Sequence, residues 1–120
     1  MEKERSEQGY PIQLLNPDFE ECRDLLMNAP VGILTSTPDG RLVFANRALA
    51  GLFGYDSPRS MVDSVSDAGS QIYSDPDDRM EFRRLMDTQG WVENHECRMT
   101  RRDGSVFWAS FMARRVVREE

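Results

Sequence analysis

The chain has 120 residues, a net charge of −6, 39% hydrophobic and 30% charged residues. That supports one domain with a single core, and the acidic balance argues against a dedicated nucleic-acid partner. No apolar run approaches the ~20 residues of a membrane span, and the N-terminus MEKERSEQGYP lacks a signal peptide's apolar stretch, so no direct membrane contact is expected.

Residues 1–16 read as a polar, flexible N-terminal segment, with Leu14 and Leu15 the apolar exception near its end. Asn16-Pro17-Asp18 is a helix start, and Phe19, Cys22, Leu25 and Leu26 recur at helical spacing. An amphipathic helix is therefore expected over residues 17–28, stopping before Asn28-Ala29-Pro30 because the residue before proline avoids the helical region. Residues 31–37 are rich in β-branched side chains and read as a strand. Pro38-Asp39-Gly40 is turn chemistry, and residues 41–45 return as a second strand with Leu42 and Phe44 on one face. Asn46 can cap a helix running to Phe53, with apolar positions Ala48, Leu49, Leu52 and Phe53, and Gly54 as its left-handed stop. Ser57-Pro58 opens a short helix that turns Met61 and Val62 inward. Residues 65–74 read as a loop with at most one helical turn. Asp75-Pro76 opens a longer helix to about Gln89, with Phe82, Leu85 and Met86 as its stripe and Gly90 as its end.

Trp91 then enters a long hairpin that turns at Arg102-Asp103-Gly104. A two-residue loop there would leave both faces of the hairpin mixed. A three-residue loop puts His95, Cys97 and Met99 on one face with Phe107, Ala109 and Phe111, and leaves Glu96, Arg98, Thr100, Trp108, Ser110 and Met112 on the other. A one-residue slip inverts every side chain, so the clean apolar face selects the three-residue loop. Two hairpins separated by short helices make an α+β domain: an antiparallel sheet with helices gathered on one face.

The motifs, taken in series, resemble a PAS (Per-Arnt-Sim) domain over roughly residues 19–117. The resemblance is carried by Ala29-Pro30-Val31-Gly32-Ile33, by Asp39-Gly40-Arg41-Leu42-Val43-Phe44-Ala45-Asn46, and by Leu52-Phe53-Gly54-Tyr55. It continues through Asp75-Pro76-Asp77-Asp78-Arg79, Glu96-Cys97-Arg98-Met99, Arg102-Asp103-Gly104-Ser105 and Phe107-Trp108. The family implies a five-stranded antiparallel sheet around a small pocket. It also implies a sensory or dimerising module in bacterial signalling proteins, ahead of an output domain such as a histidine kinase or a cyclic-dinucleotide enzyme. Residues 29–120 would form this core, with the sequence ending before the family's fifth strand and leaving an unpaired sheet edge.

No catalytic constellation is present, so a non-catalytic regulatory domain is expected. The single histidine, His95, makes no His-His metal pair, and its expected place is partly buried on a strand. Haem-binding relatives carry a ligand on the long helix, where residues 76–89 hold no histidine. Flavin-binding relatives use an Asn-Cys-Arg motif where this chain reads Gln71-Ile72-Tyr73-Ser74. No haem, flavin or metal is therefore expected. Asp75, Asp77 and Asp78 are read as helix capping rather than a cation site, Cys97 as a small core residue, and the arginines at 98, 101, 102, 114, 115 and 118 as a solvated strand face. Two cysteines far apart fit a reducing compartment, and a cytoplasmic location is expected.

The candidate pocket residues are Ile33, Thr35, Leu42, Phe44, Leu52, Met61, Phe82, Met86, Cys97, Met99, Phe107, Ala109 and Phe111. None is charged, so any ligand is small and mainly apolar or aromatic. A filled, ligand-free core that serves dimerisation alone is the competing reading. Phe19, Cys22, Leu25 and Leu26 on the N-terminal helix, with Trp108 and Met112 on the outward sheet face, are the candidate surface of a homodimer.

Overall fold

The computed structural model describes residues 19–116. The segment 1–16, the helix start at Asn16-Pro17-Asp18, the side chain of Phe19 and residues 117–120 lie outside the described part. The elements run α1 (Phe19–Met27), β1 (Leu34–Ser36), β2 (Leu42–Ala45), α2 (Arg47–Leu52), α3 (Pro58–Ser64), α4 (Ala68–Gln71), α5 (Pro76–Thr88), β3 (Trp91–Thr100) and β4 (Val106–Arg114). This is the α+β mixture of short helices and antiparallel strands that the sequence pattern implies.

The four helices between Asn46 and Thr88 each start where a capping side chain stands. Asn46 accepts from the Leu49 N–H, Ser57 and Ser60 form a reciprocal capping box, and Asp75 accepts from the Asp77 N–H. Gly54 and Gly90 follow the ends of α2 and α5 with φ of 82° each. The loop expected over residues 65–74 contains the single helical turn α4, capped by Asp67.

The long hairpin has the three-residue turn. Met99 opposes Phe107, Cys97 opposes Ala109 and His95 opposes Phe111. Arg101 and Ser105 close the loop through Arg101 N–H to Ser105 O at 2.8 Å, and Gly104 has φ of 90°. The register shifts once, between Val92 and His95, where Glu93 and Asn94 together face the single residue Met112. Asn94 carries the bulge with φ of 50°. Val92 and Cys97 are both buried as a result, although their spacing in an unbroken strand would put them on opposite faces.

Three expectations are corrected. The strand expected over residues 31–37 pairs only from Leu34 to Ser36. Gly32 passes so close to helix α2 that an added Cβ would stand 2.9 Å from Leu49 Cδ1, and Val31 and Ile33 on either side of it bond Asn46 at the head of that helix. Second, in place of a single sheet the described strands form two separate pairs, β1 with β2 and β3 with β4. The far edge of β3 is covered by a bridge from Tyr73 to Met99, and Leu42 at the edge of β2 bonds Val65. Third, Leu52 points outward, 46% exposed. At about 100° per residue, Leu49, Phe53 and Ala50 fall on one arc of α2, and Leu52 falls outside it.

The core joins both hairpins to the helices. Met61 and Val65 are fully enclosed, and Leu42, Ala45, Leu49, Ala50, Phe53, Ile72, Cys97 and Met99 pack with them. Helix α3 lies on β2 and helix α5 on β3, which places the helices on the inner side of the strands. Helix α1 stands outside this core, with residues 20–26 all exposed.

Candidate functional site

The hairpin register and helix α5 build the inner face. Alternation along β4 turns Phe107, Ala109 and Phe111 inward, each half-buried, and the 3.6-residue period of α5 lowers Phe82 onto them. The Phe82 ring lies 5.6 Å from Phe111, 6.1 Å from His95 and 6.1 Å from Tyr73, centroid to centroid. His95 meets Phe111 edge-on at 5.2 Å, and Phe53 meets Phe107 edge-on at 5.3 Å. The result is an inner row of aromatic rings in which Phe82 and Phe111 flank one imidazole, whose Nε2 is buried without a hydrogen-bond partner.

The candidate pocket residues divide into three groups. Leu42, Met61, Cys97 and Met99 are buried members of the packed core. Ile33, Phe44, Phe82, Met86, Phe107, Ala109 and Phe111 are half-buried around its open side. Thr35 and Leu52 were expected inward and are exposed instead. Thr35 sits in a three-residue strand, exposed at all three positions, that a register shift interrupts just after it.

The chemistry of these groups is quiet. Burial, with a further push from the Asp78 charge, raises the Cys97 thiol to about 11, so it is protonated near neutrality and a poor nucleophile. Burial also raises the Tyr73 hydroxyl well above its ordinary range, against the opposing pull of the Arg79 guanidinium 5.5 Å from its ring. Among the described residues, no group of three or more His, Cys, Asp or Glu side chains could hold a metal ion. An open groove of about 580 Å³ lies at the far end of the hairpin, between residues 89–93 and 112–115. Apart from Met112, none of the candidate residues lines it.

The outward face is of a different kind. Trp108 is 71% exposed and Met112 74%, and Trp91, brought outward by the bulge, is 49% exposed. The Arg98 guanidinium lies 5.9 Å from the Trp108 ring centre. Helix α1 carries its own uncovered apolar residues, Leu25 at 63% and Leu26 at 46%, with Cys22 exposed beside them. Within one chain the helix does not cover the sheet patch.

The arginines do more than solvate a strand. Arg101 Nε donates to the Leu52 carbonyl at 3.2 Å, and its guanidinium lies 4.3 Å from the Phe107 ring centre. Arg102 donates from its backbone to the Phe53 carbonyl at 2.8 Å and pairs with Asp56 at 3.4 Å. The hairpin tip thereby caps the end of α2, whose last carbonyls lack partners within the helix.

A family model described as a PAS domain matches residues 30–120. The chain belongs to the PAS domain family. The match covers three-quarters of the sequence and begins just after helix α1. No curated protein matches the chain. As a PAS domain it belongs to a class of sensory and signalling modules that are typically regulatory rather than catalytic. No helix among the described residues of this PAS domain is long and apolar enough to cross a membrane.

Proposed function

We propose that this PAS domain is the regulatory input of a signalling protein, cytoplasmic and of the histidine-kinase or cyclic-dinucleotide-enzyme type. It relays its state by association with a second copy and passes it to a downstream output domain. The observation that carries this reading is the pair of uncovered apolar surfaces, Leu25 with Leu26 on α1 and Trp108 with Met112 on the sheet. Each apolar side chain buried contributes roughly 1.5–3 kcal/mol, so these four residues on each copy suffice for a modest dimer after the cost of association.

The replacement of Leu25 and Leu26 together by Glu tests the reading. Sedimentation should show a dimer for the parent chain and a folded monomer for the variant. A parent chain that stays monomeric at high concentration overturns it.

For the signal itself we propose a small apolar or aromatic ligand at the open side of the core, among Phe82, Phe107, Ala109 and Phe111, with no haem or flavin. The second reading, a ligand-free dimerisation module, draws support from the tight inner core, where Met61, Val65 and Cys97 are at most 1% exposed. Native mass spectrometry of the purified chain separates the two. A retained small molecule supports the sensor, and the bare protein mass supports the ligand-free module.

A further inference from the structure

Asn46 is fully buried at the junction of β2 and α2, and its side-chain amide makes four bonds that join three pieces of backbone. Oδ1 accepts from the Leu49 N–H at 3.0 Å and from the Ile33 N–H at 2.9 Å. Nδ2 donates to the Val31 carbonyl at 2.9 Å and to the Leu26 carbonyl at 2.9 Å. An amide has two acceptor sites and two donor hydrogens, and here all are used.

Capping accounts for only the first of these bonds. Serine, threonine or aspartate would cap α2 as well, but none offers two donors from the same position. The donor bond to Leu26 is the distinctive one. Leu26 lies in the last turn of α1, where its carbonyl has no partner inside the helix and accepts from the Ala29 N–H at 3.4 Å and, more closely, from Asn46. The exposed residues 20–26 give that helix little packing to hold it.

We propose that Asn46 is a latch that couples the core to helix α1. Leu49 and Ala50 are core residues on the helix that Asn46 caps. A rearrangement of the core that shifts the start of α2 therefore moves the Asn46 amide and withdraws its donor from Leu26. The helix bearing half of the proposed dimer surface is then seated or freed by the state of the core. As a signal route this rests on the relay reading above, but the latch is tested without it.

The chain provides its own probe site, since Cys22 on α1 is exposed and Cys97 is buried. A nitroxide attached at Cys22 reports the motion of α1. In Asn46→Ser the cap acceptor remains and both donors are lost. The label should become more mobile, and the Asn28 amide, which bonds the Asp24 carbonyl at the end of α1, should exchange about tenfold faster. The Leu49 amide should keep most of its protection. A folded Asn46→Ser chain with unchanged label mobility and unchanged Asn28 exchange overturns the latch. If that variant does not fold, hydrogen exchange on the parent chain decides. The Asn28 and Ile33 amides should then open together, with the same rate and the same denaturant dependence. An Ile33 amide that stays protected while Asn28 exchanges like free peptide overturns the proposal. A working latch in a chain that sediments as a monomer would leave the latch standing and remove the relay reading.

Discussion

Arg101 reaches 49 positions back along the sequence to donate to the carbonyl of Leu52, at 3.2 Å. One side chain thus ties the turn of the second hairpin to the end of the first core helix, while its plane lies against Phe107. Arg101→Ala should lose both contacts and leave a terminal carbonyl unpaired, at a cost of about 1–2 kcal/mol. Arg102→Ala keeps the backbone bond to Phe53 and removes an exposed ion pair and a guanidinium 6.0 Å from the Tyr55 ring centre, so it should cost no more than about 1 kcal/mol. Urea unfolding of the two variants ranks them, and equal losses would show that Arg101 acts as an ordinary surface residue.

The turn glycine gives a second expectation. Nothing lies within 4 Å of a Cβ built at Gly104, so substitution there meets strain in the backbone alone, at φ of 90°. Gly104→Val should cost on the order of 1–2 kcal/mol, and Gly104→Asn less, because asparagine tolerates the left-handed region. Thermal melts that place valine and asparagine together would contradict the turn geometry.

A third concerns Gly32, where a Cβ would meet Leu49 Cδ1 at 2.9 Å and the Leu49 backbone at 3.3 Å. Gly32→Ala should destabilise by about 1–3 kcal/mol through overpacking. The double variant with Leu49→Ala should recover part of the loss relative to Leu49→Ala alone, which a double-mutant cycle measures.

Stability at high pH supplies a fourth. The folded chain holds the Cys97 proton up to about 11, whereas the unfolded thiol releases it near its ordinary value of 9.0. Between these two values the unfolded state binds fewer protons, so stability falls as pH rises. The contribution is fully present below about 9 and is lost through about 11. Tyr73 acts in the same direction at still higher pH. Melting temperatures of Cys97→Ala should fall less steeply than those of the parent chain between these pH values. Parallel curves would mean that the thiol does not titrate on unfolding.

The hairpin register was legible in the sequence because an interior tolerates only one of its two faces. His95, Cys97 and Met99 match Phe107, Ala109 and Phe111, and a slip of one residue would bury Glu96 and Arg98. The helix starts were legible because capping is local, as at Ser57 and Asp75. What escaped was set by residues distant in the chain. Asn46 could be read as a cap, but its bonds to Leu26 and Val31 depend on backbone brought in by the fold. The outward turn of Leu52 was decided by which arc of α2 the core occupies. Phe82, Phe107, Phe111 and His95 were legible as inward residues, while Tyr73 beside Phe82 and the unpartnered Nε2 of His95 were not, since both depend on where Phe82 descends. The bulge did leave a trace, an apolar phase that changes between Val92 and Cys97.

That bulge gives strand β3 a change of reading frame. On one side of Asn94 the odd positions address the interior, and on the other side the even ones do. The two halves can therefore drift in sequence without a shared constraint. Plain pairing that kept both Glu93 and Asn94 but no bulge would turn Trp91 in and Val92 out, yet leave the pairing from His95 to Thr100 untouched. The end of the hairpin that carries Trp91 and Met112 can thus be re-aimed at a new neighbour, while the half beneath helix α5 keeps the interior it already has.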